Sequence, residues 1–228
     1  MRNISTEQIL YKVIDAISSL EIKEILEKVD IIIADVAKAN STGIYTLDDK
    51  TNSVILRASI MHSDLIGTLK MKMGFGITGW VAEKGETVVI ENNAFKDFRF
   101  GPVPNLPDDL FETFLSVPIK NGNIVVGVIT IKHKKPTKYS KKLVALIEMI
   151  GKLVGKAIDY SIQLEKTKNL EQALETLKVI NKAKAILIDK LKISENDAYH
   201  SIRKQAMKNN KSIKIIAEGI ITSNEILS

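Results

Sequence analysis

The sequence predicts an α+β chain: helices first, hairpin-linked strands in the middle, then a long coiled-coil helix leading into a small all-α unit. Three observations predict it. Apolar residues recur at helical spacing over the first forty positions. Strand-like runs broken by glycine and turn residues fill the middle of the chain. After Gly155 the next glycine is Gly219, and no proline intervenes, so a helix can continue for a long way.

The elements follow in order. Ile9, Leu10, Val13, Ile14, Ile17 and Leu20 form one helical stripe, with Ser5 and Thr6 as candidate N-caps. Ile25, Leu26, Val29, Ile32, Ile33 and Val36 form the next. Residues 43–47 read as a strand, 48–52 as a turn and 53–60 as its hairpin partner. Gly74, Gly76 and Gly79 lead into a helix containing Trp80, and 87–90 read as a short strand. Residues 94–114 hold Phe95, Phe98, Phe100, Phe111 and Phe114 with Pro102, Pro104 and Pro107, a density of proline that predicts a loop with short helical pieces. Residues 115–120 and 124–132 are strands joined by Asn121-Gly122-Asn123.

From about Ser140 the spacing Leu146, Ile150, Leu153, Ala157, Tyr160, Leu164 alternates by four and three, as a coiled-coil seam does. The seam resumes, shifted, at Leu170, Leu174 and Leu177. The helix should stop near Leu191. Ser194, with Asp197 three residues on, caps a second helix carrying Ala198, Ile202 and Ala206 on one line, and Ser212 caps a third with Ile216, Ala217, Ile220 and Ile221.

Composition narrows the chemistry. Cysteine is absent, which removes disulfides, thiolate metal sites and cysteine nucleophiles. His62, His133 and His200 have no metal-ligand spacing, and His133, among lysines, reads as an exposed strand end. Gly74, Gly76 and Gly79 lack the lysine-serine ending or the following unit that a phosphate cradle needs, so they read as turn glycines. No catalytic residue, metal or resident cofactor is expected; binding is the default. No run is apolar enough to span a membrane and no leader is visible, which predicts a cytoplasmic location. The net charge is +6. Between Leu174 and Ile220 ten basic residues face five acidic ones, so nearly all of the excess lies there.

Two resemblances add to this reading. Residues 9–160 resemble a GAF domain, a small-molecule sensor module, through Gly74-Phe75-Gly76-Ile77-Thr78-Gly79-Trp80-Val81-Ala82, Asn92-Asn93-Ala94-Phe95-Lys96-Asp97-Phe98-Arg99-Phe100, Ser116-Val117-Pro118-Ile119 and Gly127-Val128-Ile129-Thr130-Ile131. The resemblance implies an antiparallel sheet flanked by helices and a ligand pocket beneath its connecting loops. Trp80, Phe95, Phe98 and Phe100 are the pocket candidates, with 94–114 as a cover; the ligand itself is not identified. The methionine-sulfoxide reductases of this family need cysteines, which this chain lacks.

Residues 170–228 resemble an ANTAR domain, a three-helix RNA-binding module of bacterial antiterminators. Ala173-Leu174, Ile180, Ala183-Lys184, Leu187, Ser194-Glu195, Ala198-Tyr199, Ile202-Arg203 and Gln205-Ala206-Met207-Lys208 carry it. The chain departs from the family at Ala185, where glycine is usual, at Ile188, where methionine is, and at Leu177, where a basic residue is common. The resemblance implies a dimer gripping the stem-loop RNA of a nascent transcript. Lys184, Tyr199, Arg203, Lys204, Lys208 and Lys211 are the candidate RNA contacts: an aromatic and a guanidinium beside lysines suit unstacked bases and phosphates.

The expected organisation is a sensor domain over 1–139, a coiled-coil signalling helix over 140–172 that pairs two copies, and an RNA-binding domain over 173–228. The expected function is ligand-responsive transcription antitermination, with no enzymatic step and no membrane partner. The alternative is a DNA-binding regulator using the last two helices as a helix-turn-helix. Against it, no glycine-containing turn joins them and the third is apolar.

Overall fold

The computed structural model describes residues 5–18, 21–101 and 111–226, and the chain divides into two compact units, Met1–Ile162 and Gln163–Ser228. The first unit opens with α1 (Thr6–Ile17) and α2 (Ile22–Ala37). Ser5 caps α1 reciprocally with Gln8, satisfying two backbone donors at the helix start. Leu20, the last residue of the first expected stripe, lies outside the described residues.

Six strands follow: β1 (Ser41–Asp48), β2 (Ser53–Ala58), β3 (Lys70–Lys72), β4 (Val88–Ile90), β5 (Thr113–Asn121) and β6 (Ile124–His133). They form one antiparallel sheet in the order β3-β2-β1-β6-β5-β4. The β5–β6 hairpin turns at Gly122-Asn123, where Gly122 takes φ +59°. β3 is not among the strands the pattern predicts, because Lys70-Met71-Lys72 offers a single apolar position. β5 begins at Thr113, so Phe114 belongs to a strand rather than to the expected loop. Pro102, Pro104 and Pro107 of that loop lie outside the described residues. Pro118 is tolerated within β5 because β4 pairs only with residues 114–116, leaving that stretch a single neighbouring strand.

Strand alternation divides the core in two. On one face Ile44, Leu115, Val117, Ile119, Ile129 and Ile131 pack against α1, α2 and the start of α4 (Lys141–Leu191). On the other, Tyr45, Leu56, Val88, Ile90 and Val128 pack against α3 (Gly76–Lys84). Gly74 and Gly76 take φ +79° and +66°, as the turn-glycine reading expects, but Gly79 lies within α3 and not in a turn: a Cβ there would collide with the Lys72 carbonyl, so it serves close helix–strand packing.

The first half of the expected seam has another use. Leu146 and Ile150 are buried against the sheet, and Leu153 and Ala157 pack at the margin of the same core. Tyr160 and Leu164 remain exposed. A heptad and a sheet-facing helix share the i, i+4 spacing, so the sequence pattern alone does not separate them. His133 is likewise not an exposed strand end. It is buried, with Nε2 3.1 Å from the Ala37 carbonyl and Nδ1 3.0 Å from the Tyr139 hydroxyl. A carbonyl only accepts, so Nε2 carries the proton and, in the neutral ring, Nδ1 accepts from the tyrosine.

The second unit contains the end of α4, α5 (Glu195–Lys208) and α6 (Ile213–Ile226). The boundaries follow the expected caps: α4 ends at Leu191, and the Ser194 side chain accepts from the Asp197 amide at 3.2 Å. The Ser212 hydroxyl accepts from the Ile215 amide at 3.3 Å.

Candidate nucleic-acid interface and sensor site

The second unit closes around Ile180, Ala183, Ile202 and Ala217, with Val179, Leu187, Ile213, Ile216, Ile220 and Ile221 packed against them. Ala198, Ile202 and Ala206 turn one face of α5 inward, as their spacing predicts. That fixes what α5 presents outward. Tyr199, Arg203 and Met207 form one exposed row; Lys204 and Lys208 form the next, and Lys211 follows the helix end. No acidic residue occurs on α5 after Asp197. The ion pairs of this unit engage other lysines: Lys182 with Glu225, Lys184 with Glu195, Lys192 with Asp189 and Lys214 with Glu218. Arg203, Lys204, Lys208 and Lys211 therefore present a cationic surface over the last turns of α5, beside the exposed Met207 and the half-exposed Tyr199.

Lys184 sits differently from the other candidates. Its side chain is mostly buried, 16% exposed, and Nζ lies 2.6 Å from Glu195 Oε1 in the first turn of α5. The hydrogen bond from Lys184 holds the Glu195 carboxyl below its ordinary range. This lysine ties α4 to α5.

In the first unit, Trp80 and Phe100 are partly buried against the α3-side core, whereas Phe95 is half exposed and Phe98 is 85% exposed. The structure joins Trp80 and Phe98 through Arg99, which composition alone does not single out. Its guanidinium carbon lies 5.0 Å from the Trp80 ring centroid and 5.1 Å from that of Phe98. Asp97 holds the fork bidentately, Nε to Oδ1 at 2.8 Å and Nη2 to Oδ2 at 2.8 Å. Those bonds hold the Asp97 carboxyl below its usual range. Phe100 meets Phe114 edge-on at 6.3 Å, and Phe114 meets Phe111 at 6.4 Å in the same manner. Phe95 stands apart, with Lys96 as its ring contact.

A separate cavity of about 570 Å³ lies on the opposite side of the sheet, lined by Ile22, Leu26, Thr46, Arg57, Val126 and Ile158 among others. None of the four aromatic candidates lines it. Among the described residues no group of histidine and acidic side chains could hold a metal ion, and no helix is long and apolar enough to cross a membrane.

Comparison with known proteins agrees with both resemblances. The GAF domain family model matches residues 19–159 and the ANTAR domain model residues 168–221. The chain belongs to the GAF domain family and carries an ANTAR domain after it. The GAF domain of the Acinetobacter phosphoenolpyruvate-protein phosphotransferase superposes with a TM-score of 0.65 at 24% identity, over 72% of this chain and 97% of that one. At that identity the likeness establishes the fold. The chain is 30% identical over 129 residues, 54% of its length, to a Caenorhabditis elegans protein named "Probable 3',5'-cyclic phosphodiesterase pde-5", of which it covers 18%. It is 24% identical over 147 residues, 62% of its length, to the Nif-specific regulatory protein of Azospirillum lipoferum, of which it covers 23%. The chain thus spans about a fifth of the length of these relatives.

Proposed function

We propose that this protein is a ligand-responsive transcription antitermination regulator that binds hairpin RNA of nascent transcripts through the outward face of α5. The observation that carries the proposal is the cationic surface of Arg203, Lys204, Lys208 and Lys211 beside Tyr199, on a helix whose opposite face is locked by Ala198, Ile202 and Ala206. Phosphates are met by the lysines, and the guanidinium and phenol offer planar groups for unstacked loop bases. Lys184 joins them when RNA displaces Glu195. α6 turns Ile213, Ile216, Ala217, Ile220 and Ile221 to the core of the unit, which disfavours a helix-turn-helix reading of duplex DNA.

The GAF unit supplies the signal by binding a small molecule on the α3 side of its sheet, near Trp80, Arg99 and Phe100. Two copies pair along the exposed part of α4, where Tyr160 and Leu164 end the first four–three stripe and Leu174 belongs to the stripe that resumes after it. The protein acts by binding in the cytoplasm, with no catalytic step. The test is in vitro transcription through a terminator preceded by two adjacent stem-loops. Added protein should raise read-through; unchanged termination at saturating protein contradicts the proposal. Native mass spectrometry of the purified protein should show a retained small molecule.

A further inference from the structure

The cavity on the side of the sheet away from α3 has the size and lining of a ligand site. Its volume, about 570 Å³, falls within the usual span of small-ligand pockets, about 300–1,000 Å³. Elements far apart in sequence wall it: Leu26 comes from α2, Thr46 from β1, Val126 from β6, and Ile158 and Ile162 from α4. The lining is mostly aliphatic. Ile124 and Ile162 line it too, yet they remain 69% and 39% exposed, so apolar surface here faces water. The polar groups are few and stand together. Arg57 Nε donates to Thr46 Oγ1 at 2.9 Å, and both residues line the cavity, so this bond holds the guanidinium at its wall. Arg57 is exposed, so water satisfies the rest of its fork and the fold itself requires no anion there. Lys23 and Asp49 complete the polar part of the wall, with Lys23 Nζ 3.9 Å from Glu27.

We propose that this cavity is a second ligand site of the first unit, taking a small amphipathic carboxylate. The hydrocarbon body lies among Leu26, Val126 and Ile158, and the carboxylate meets the fork of Arg57. Aliphatic walls gain by meeting hydrocarbon in place of water. A planar guanidinium held in one orientation suits the two oxygens of a carboxylate. Two cations against one acid in the wall select a negative head group over a positive one. The recess lies between the sheet, α2 and α4, which suits a small molecule rather than the flat face of a second copy. Ile158 and Ile162 flank Tyr160 along α4, so an occupant bears on the helix that carries the pairing stripe. This site is separate from the one near Trp80, and neither depends on the other.

The experiment titrates the full chain by calorimetry with octanoate, with octanamide and octylamine as its uncharged and cationic counterparts, and with acetate as the head group alone. Octanoate should bind at a single site per chain, and acetate should not bind. Octanamide and octylamine should bind roughly ten-fold more weakly or worse, since charge-assisted bonds are the strong ones. Arg57→Met keeps an apolar stem at an exposed position; it should weaken octanoate by roughly ten-fold and leave octanamide unchanged. Val126→Phe, with folding checked by circular dichroism, should fill the recess and abolish binding of both. Hydrogen exchange with octanoate bound should slow at residues 158–162. No octanoate binding to the wild type, octylamine binding as tightly as octanoate, or full affinity in folded Arg57→Met or Val126→Phe overturns the proposal. Protection confined to α3 would place octanoate in the other site and overturn it equally. If Val126→Phe does not fold, Arg57→Met and the exchange pattern decide the matter.

Discussion

Asp30 shows what a single residue contributes to stability. It lies on α2, buried, with one carboxylate oxygen lacking a hydrogen-bond partner among the described residues. Burial pushes its pKa from 3.8 up to about 6. The folded carboxyl therefore holds its proton more tightly than the unfolded one. That contribution is complete below about pH 4 and is lost as pH rises through about 6. Asp30→Asn should raise Tm near about pH 8, by the equivalent of ~3 kcal/mol at most, and change little near about pH 4. Equal effects at both values would contradict the assignment. Glu195 offers a second test. Glu195→Gln frees Lys184, so it should strengthen RNA binding generally and steepen the salt slope by less than about one. Unchanged affinity would assign Lys184 to holding α4 against α5 alone. Such details were the least legible in the sequence. Lysines 132, 134 and 135 around His133 read as a solvated end, yet strand alternation and the Ala37 carbonyl bury both His133 and Lys132. Arg99 was invisible because its partners, Asp97, Trp80 and Phe98, meet only in the fold.

Among the elements, α4 serves two tasks. Its opening turns lie on β5, where Gly151 and Gly155 remove side chains from the contact: a Cβ at Gly151 would stand 3.0 Å from the Pro118 carbonyl, and one at Gly155 would collide with that of Lys120. Gly155→Ala should destabilise the first unit by about 1–3 kcal/mol through overpacking, read by urea unfolding. An unaltered midpoint would mean that the helix shifts freely. Ile150→Glu is the wrong probe of pairing, because Ile150 is fully buried in the core and its loss unfolds the unit. The exposed residues are the right one: Leu164→Glu with Leu174→Glu should give monomers by light scattering with helicity retained. A folded, dimeric double variant would move the interface elsewhere. Element types were legible because periods of two and about 3.6 differ and because Ser5, Ser194 and Ser212 mark helix starts. β3 was not, since three residues carry too little pattern, and the target of a four–three stripe is settled only by what packs on it.

At the scale of the molecule, the two families and the placement of charge converge on one account. The GAF fold occupies the first unit, and the chain's excess cations gather in the second, where α5 sets Arg203, Lys204 and Lys208 on its outward side. The candidate RNA contacts were legible because Ala198, Ile202 and Ala206 fixed the inward face, which assigns Arg203 and Lys208 outward by spacing alone. The most direct test of the central claim is the affinity of the full chain for an RNA of two adjacent stem-loops and for duplex DNA of equal length, over a salt series. The wild type should prefer the RNA, and Arg203→Ala should cost about 1–3 kcal/mol if it reads a base edge. Equal or tighter binding to the duplex, or RNA affinity indifferent to Arg203 and Lys208 in well-folded variants, would contradict the account.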